Sequence, residues 1–321
     1  MTTEFRRAPD DNFTGLRDFD YPPSYLDWEG LRMHYVDAGP ADGPVCLLLH
    51  GMPTWSYLYR TMIPALVRSG HRCIAPDHMG FGRSDKPTDP SWYSIGRHAE
   101  VLSSLILALD LDRITLVCQD WGGPIGLAQT VHLRDRFERA VVMNTWLHHD
   151  TTAYSAATRS WQRNWEPGGM FARGRFDPGY LLALSAGHGG TDVMNAMVGG
   201  PAAELPPEAD AMRRGFSAPF AGLPDDALTG AHRFPASIPI DGSNRANAAA
   251  QTYVRSQLKA SGLTFHFIWG AADDIFTVES GREWANELGA TFAEIPTAGH
   301  FLQNTHGPEI ADLIVARIAE E

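Results

Sequence analysis

Apolar residues come along the chain in short, nearly continuous runs: 45–50, 72–76, 114–118, 140–143, 264–269 and 292–295. Continuous apolar runs of this length fit strands buried on both faces of a sheet. Between them, 57–69, 96–110, 123–133, 247–259, 278–288 and 309–319 read as helices. Strand and helix alternate, which predicts a doubly wound α/β fold with a mostly parallel sheet covered on both faces. Upstream, 24–28 and 31–37 predict two strands around a Glu29-Gly30 turn. The first 20 residues are polar and are expected to drape over the surface.

The alternation stops after Thr145 and resumes near residue 240. The stretch between is rich in Gly, Pro, Trp and Met, with helical fragments and no clear strand. It reads as a helical cap inserted into one α/β domain, with 1–145 and 241–321 as the two parts of the core and 146–240 as the cap. The Gly- and Ala-rich segment 186–213 is expected to be a flexible lid.

Composition narrows the class. Hydrophobic residues are 44% and charged residues 20%, as in globular chains. Lys and Arg number 26 against 38 Asp and Glu, a net charge of −12. No basic excess is available to displace counterions from phosphates, so nucleic acid is not an expected partner. No apolar run approaches the roughly 20 residues of a membrane span. The start, Met1 to Arg7, does not read as a secretion signal. Cys46, Cys73 and Cys118 lie in or beside strand-like runs, which suggests packed, reduced thiols and a cytoplasmic location.

In open α/β sheets ligands bind beyond the carboxyl ends of the strands. The residues there are His50-Gly51-Met52, Gln119-Asp120-Trp121-Gly122, Gly270-Ala271-Ala272-Asp273-Asp274 and Gly299-His300. Asp120 has a small residue two before it and glycine two after it. A strand turning sharply into a helix needs small residues there, so Asp120 occupies a nucleophile elbow. A helix N-cap is the plainer role for an aspartate before Gly-Gly. The order Asp120, Asp273, His300 nevertheless matches nucleophile, acid and base. Asp274 competes with Asp273 as the acid. His148-His149-Asp150 lacks further ligands at zinc-like spacing, so no metal is expected.

These residues resemble those of the haloalkane dehalogenases, within the α/β-hydrolase fold. The matching stretches are HGMPTWSYLYR (50–60), APDHMGFGRSDKP (75–87), CQDWGGPIGL (118–127), NTW (144–146), WGAADD (269–274) and AGHFLQ (298–303). The family turn places the acid three residues after Gly270, which favours Asp273. The resemblance implies hydrolysis of a small halogenated substrate to an alcohol and a halide ion, with no cofactor. Asp120 attacks the halogenated carbon and forms an alkyl ester, and a water activated by His300 then cleaves it. The backbone N–H groups of Met52 and Trp121 form the oxyanion hole.

The resemblance implies that the Trp121 indole is one halide donor. Some family members carry asparagine at the position of Met52, which cannot donate. The chain resembles the branch that takes a second indole from the cap, where Trp161 is favoured over Trp165. Phe220, Ile275 and Phe276 are candidates for the substrate pocket or for ordinary core packing. Asp77, Arg83, Ser84 and Asp85 read as structural braces. Two rival functions share these residues. An epoxide hydrolase would need cap tyrosines, for which Tyr154 and Tyr180 are the candidates. A non-catalytic receptor would bind a ligand without turnover.

Overall fold

The computed structural model describes residues 3–147, 154–166, 169, 171, 176–185 and 209–320. Its core is an eight-stranded sheet in the order β10-β9-β8-β7-β4-β5-β3-β2. The strands are β2 (Ser24–Trp28), β3 (Leu31–Ala38), β4 (Val45–Leu49), β5 (Arg72–Pro76), β7 (Ile114–Gln119), β8 (Phe137–Met143), β9 (Thr264–Gly270) and β10 (Thr291–Ile295). All neighbours from β5 through β4 to β10 pair in parallel, and β2–β3 and β3–β5 pair antiparallel. Every residue of β4 and β7 is buried, which explains why these strands read as continuous apolar runs.

The order contains a switch point. From β4 the chain runs to β5 on one side, and from β7 it runs to β8 on the other, while β4 and β7 lie side by side. A crevice opens at the carboxyl ends where such paths diverge. Those two ends carry Gly51-Met52 and Asp120.

Helices α1 (Ile63–Arg68), α2 (Ile95–Ala108), α3 (Gly122–His132), α8 (Arg245–Leu258), α9 (Val278–Leu288) and α10 (Leu302–Ala319) join the strands. Among the described residues, four further helices lie between β8 and α8: α4 (Ala156–Trp165), α5 (Pro178–Ser185), α6 (Ala209–Ser217) and α7 (Thr229–Ala236). Among the described residues of 146–240 no strand occurs. Of the expected lid, 186–208 lies outside the described residues, and 209–213 belongs to α6.

Three expectations need correction. The helix expected over 57–69 is a 3-10 turn at Ser56–Tyr59 followed by α1. Pro64 has no N–H to donate and so sits in the first turn of the helix, which sets its start. The final helix begins at Leu302 rather than 309. Pro308 interrupts its hydrogen bonding, and His306 leaves helical geometry with φ −125°. The periodicity therefore reads clearly only after that break. Nor do the first 20 residues merely cover the surface. Phe13, Leu16 and Phe19 are buried, and the rings of Phe13 and Phe19 pack edge-on to Trp55 at 5.4 and 5.0 Å. The strand β1 (Phe5–Arg6) pairs with β6 (Lys86–Pro87).

Candidate active site

The β7–α3 turn is as tight as its sequence suggests. Asp120 adopts φ +50°, a left-handed conformation that non-glycine residues adopt uncommonly. A Cβ on Gly122 would stand 2.2 Å from the carbonyl oxygen of Leu49 on β4, so only glycine fits there. The turn is held from β8. The Asp120 N–H donates to the Asn144 carbonyl at 3.0 Å, and the Thr145 hydroxyl donates to the Asp120 carbonyl. This arrangement is a strained strand-to-helix elbow rather than a plain N-cap, and α3 has no side-chain cap.

Asp120 is 6% exposed. Its Oδ1 accepts the Met52 backbone N–H at 2.7 Å. Its Oδ2 lies 3.5 Å from His300 Nε2. The opposite ring nitrogen, His300 Nδ1, is 2.8 Å from Asp273 Oδ2. Asp273 is buried, and its other oxygen accepts the backbone N–H groups of Ile275 and Phe276 at 2.8 and 3.2 Å. Asp274 is exposed. The structure thus brings Asp120, His300, Asp273 and the Met52 N–H together, and it separates Asp273 from Asp274. Burial works against a charged His300 ring, but Asp273 and the hydrogen bond and charge of Asp120 outweigh it, and its pKa is pushed up to about 10.

Two contributors escaped the sequence reading. Asn144 donates to Asp273 Oδ2 at 2.8 Å and clips Gly270 through both its N–H and its carbonyl, so it braces the acid turn from β8. Gln119 places its amide nitrogen 3.1 Å from His300 Nε2. Both residues sit at strand ends beside quoted motifs, and position was the only signal available for them. The Met52 loop is also braced. His50 pairs its Nδ1 with the Gly51 carbonyl at 2.8 Å and accepts the His78 N–H on Nε2 at 2.9 Å. Asp77, fully buried, accepts the N–H groups of Ser56 and Arg83.

A chain of aromatic rings runs from Trp121 to the His300 ring. Trp121 is 2% exposed, and its ring meets Trp146 and Phe234 edge-on, each at 5.0 Å. Trp146 stacks on Phe276 at 4.3 Å, and Phe276 lies 5.4 Å from the His300 ring. Ile275 is half-buried beside it. Phe220 is half-buried on another part of the cap, with its ring over the Lys86 ammonium at 5.6 Å.

Trp161 and Trp165 occupy successive turns of α4, with ring centroids 5.5 Å apart. Trp161 is half-buried. Trp165 is 4% exposed and packs against Phe171, Phe176 and His232, and its indole N–H has no hydrogen-bond partner among the described residues. Helix α4 rests on α7 through Gln162, which donates to the carbonyls of Pro235 and Ile238. His148-His149-Asp150 lie outside the described residues.

A mostly parallel sheet with an elbow aspartate at its switch point and a carboxylate–histidine pair at later strand ends defines an α/β hydrolase. The profile of the alpha/beta hydrolase fold family matches residues 44–306. A haloalkane dehalogenase of Mycobacterium marinum is 37% identical over 320 residues, which cover 97% of this chain and 98% of that protein. One of Psychrobacter cryohalolentis is 35% identical over 321 residues, 96% of each. The solved structure of a haloalkane dehalogenase from Paraglaciecola agarilytica NO2 superposes with a TM-score of 0.81 at 31% identity, covering 97% of both chains. The chain belongs to the haloalkane dehalogenases.

Proposed function

We propose that the protein hydrolyses small haloalkanes to an alcohol, a halide ion and a proton through an ester on Asp120. The observation that carries this reading is the division of labour on one carboxylate, with Oδ1 on the Met52 N–H and Oδ2 beside His300 Nε2. A lone pair of the Asp120 carboxylate forms the bond to carbon, and the halide leaves with the electrons of the carbon–halogen bond. Water then attacks the ester carbonyl carbon, passing a proton to His300 Nε2. The negative charge that develops on the carbonyl oxygen is met by the backbone N–H groups of Met52 and Trp121. The ester breaks, the departing alkoxide takes the proton from His300, and Asp120 returns to the carboxylate by losing a proton to solvent. Asp273 orients the ring and stabilises its charged form.

Alkylation also changes the base. The anionic Asp120 favours a protonated His300, and esterification removes that charge. The pKa of His300 falls once the ester exists, which is when a base is needed.

For the halide, an indole N–H in an apolar wall is a donor without a competing acceptor. Trp121 supplies one, and Trp161 from α4 supplies the second. The buried, unpartnered indole N–H of Trp165 makes that residue the alternative. Ile275 and Phe276 line the substrate pocket, with Phe220 further out on the cap. We assign 146–240 as the cap and 1–145 with 241–321 as the core. The three buried free thiols suit a reducing cytoplasm. The test is turnover of 1-bromobutane and 1,2-epoxybutane side by side. Bromide release with no diol supports the reading. Diol formation alone moves the activity to epoxide hydrolysis, and saturable binding without turnover of either moves it to a receptor.

A further inference from the structure

Gln119 is the last residue of β7 and has no solvent exposure. Its amide carries two donor hydrogens on nitrogen and an acceptor oxygen. Nε2 lies 3.0 Å from the main-chain carbonyl of His300 and 3.1 Å from the ring Nε2 of the same residue. A carbonyl oxygen only accepts, so the first contact identifies the nitrogen end of the amide. The second contact then requires His300 Nε2 to offer its lone pair. Such a bond is open only to the neutral ring, with its proton on Nδ1 facing Asp273 Oδ2 at 2.8 Å, and it is lost when the ring is protonated. That tautomer is the one able to take a proton from water at Nε2.

The surrounding charges pull the other way. The titratable groups facing the ring are Asp120 on the β7–α3 turn and Asp273 after β9, and both carboxylates favour a protonated imidazole. The other ring neighbours, Phe276 and Phe301, carry no charge. Turning the amide over to serve a protonated Nε2 would set its oxygen against the His300 carbonyl. Gln119 Oε1 has no partner among the described residues, so its present orientation is set by the two donations alone.

We propose that Gln119 is a positioning residue that favours the neutral form of His300 by donating to its Nε2 lone pair, against the pull of the two carboxylates, until water takes the place of the amide there. It pins the ring and its backbone from below, on the strand that also carries the nucleophile. After the water proton reaches Nε2, ring and amide meet donor to donor. That contact favours passing the proton onward to the departing alkoxide.

The inference rests on His300 acting as the general base proposed above, and two readouts keep the two claims apart. In the intact free protein, the His300 ring is titrated by NMR with labelled histidine. In single turnovers of 1-bromobutane, the pH profiles of bromide release and of butanol release are followed separately. Gln119→Met keeps the length and removes the donor, and Gln119→Leu repeats the test with a smaller side chain should the first fold poorly. Either variant should raise the ring titration, and the acidic limb of butanol release, by about one pH unit, as expected for one lost hydrogen bond to the neutral form. The profile of bromide release, which does not use His300, should keep its shape. A titration that stays in place or falls, in a variant with a native fold by circular dichroism, overturns the role of Gln119. Absence of bromide release from the wild-type protein would instead defeat the reading of function, and the ring titration would still decide the tautomer argument.

Discussion

Asp273 and Asp274 are adjacent acids with opposite surroundings. Asp273 is buried, accepts two backbone N–H groups and the Asn144 amide, and faces His300 Nδ1, while Asp274 is exposed. Sequence alone leaves the two side by side, because neighbouring residues differ only in the direction the turn gives them. Asp273→Asn keeps the shape but loses the charge that orients and stabilises the imidazolium. Ester hydrolysis in this variant should slow by orders of magnitude, up to about 10⁴-fold as in comparable triads. Asp274→Asn should stay within about twofold of wild type, because Asp274 is exposed and the carboxylate on His300 Nδ1 is that of Asp273. Single-turnover alcohol release on both variants checks this, and the reverse ranking moves the acid to Asp274. Asn144 and Gln119 show the same limit from the other side. Their importance lies in which atoms they touch across strands, and no spacing rule reaches that.

Strands were legible wherever they are buried on both faces. β4 and β7 end beside Met52 and Asp120, so a correct reading of their runs also located those two candidates. Helix starts were less legible at prolines, as with Pro64 in α1 and Pro308 in α10, where the local backbone rule outweighs periodicity. The cap is hardest. Helix α4 begins with Ser155, whose hydroxyl accepts the Thr158 N–H, and it ends at Trp165 before Glu166-Pro167. Its two tryptophans are four apart and so share one face. Trp161→Phe preserves the ring and removes the N–H. Losing one hydrogen bond to an anion costs about 1.5–3 kcal/mol, which is about 10- to 150-fold in halide affinity. Iodide titration followed by tryptophan fluorescence should show that weakening in Trp161→Phe and little change in Trp165→Phe. The opposite pattern gives the second donor to Trp165.

At the scale of the whole molecule, the polar N-terminal segment ties the loop after β5 to the segment between β8 and β9. Arg7 makes a two-pronged pair with the fully buried Asp85, Arg6 pairs with Asp226, and Asn12 donates to the carbonyls of Ala218 and Ala221. Its buried residues Ala8, Phe13, Leu16 and Phe19 stand singly among polar and charged neighbours, so the sequence pattern shows only a polar stretch. The doubly wound sheet, by contrast, was legible throughout. Its switch point gathers residues from four distant parts of the chain: Met52 after β4, Asp120 after β7, Asp273 after β9 and His300 after β10. The central claim is that they act as one unit, with a covalent ester on Asp120 that only His300 can relieve. His300→Gln removes the base and leaves the nucleophile and its oxyanion donor in place. Incubated with 1-bromobutane and digested, this variant should carry one butyl group on the peptide containing Asp120, with one equivalent of bromide released and no further turnover. Asp120→Ala should carry no label and release no bromide. A butyl group on any other residue, or steady turnover by Asp120→Ala, would contradict the account.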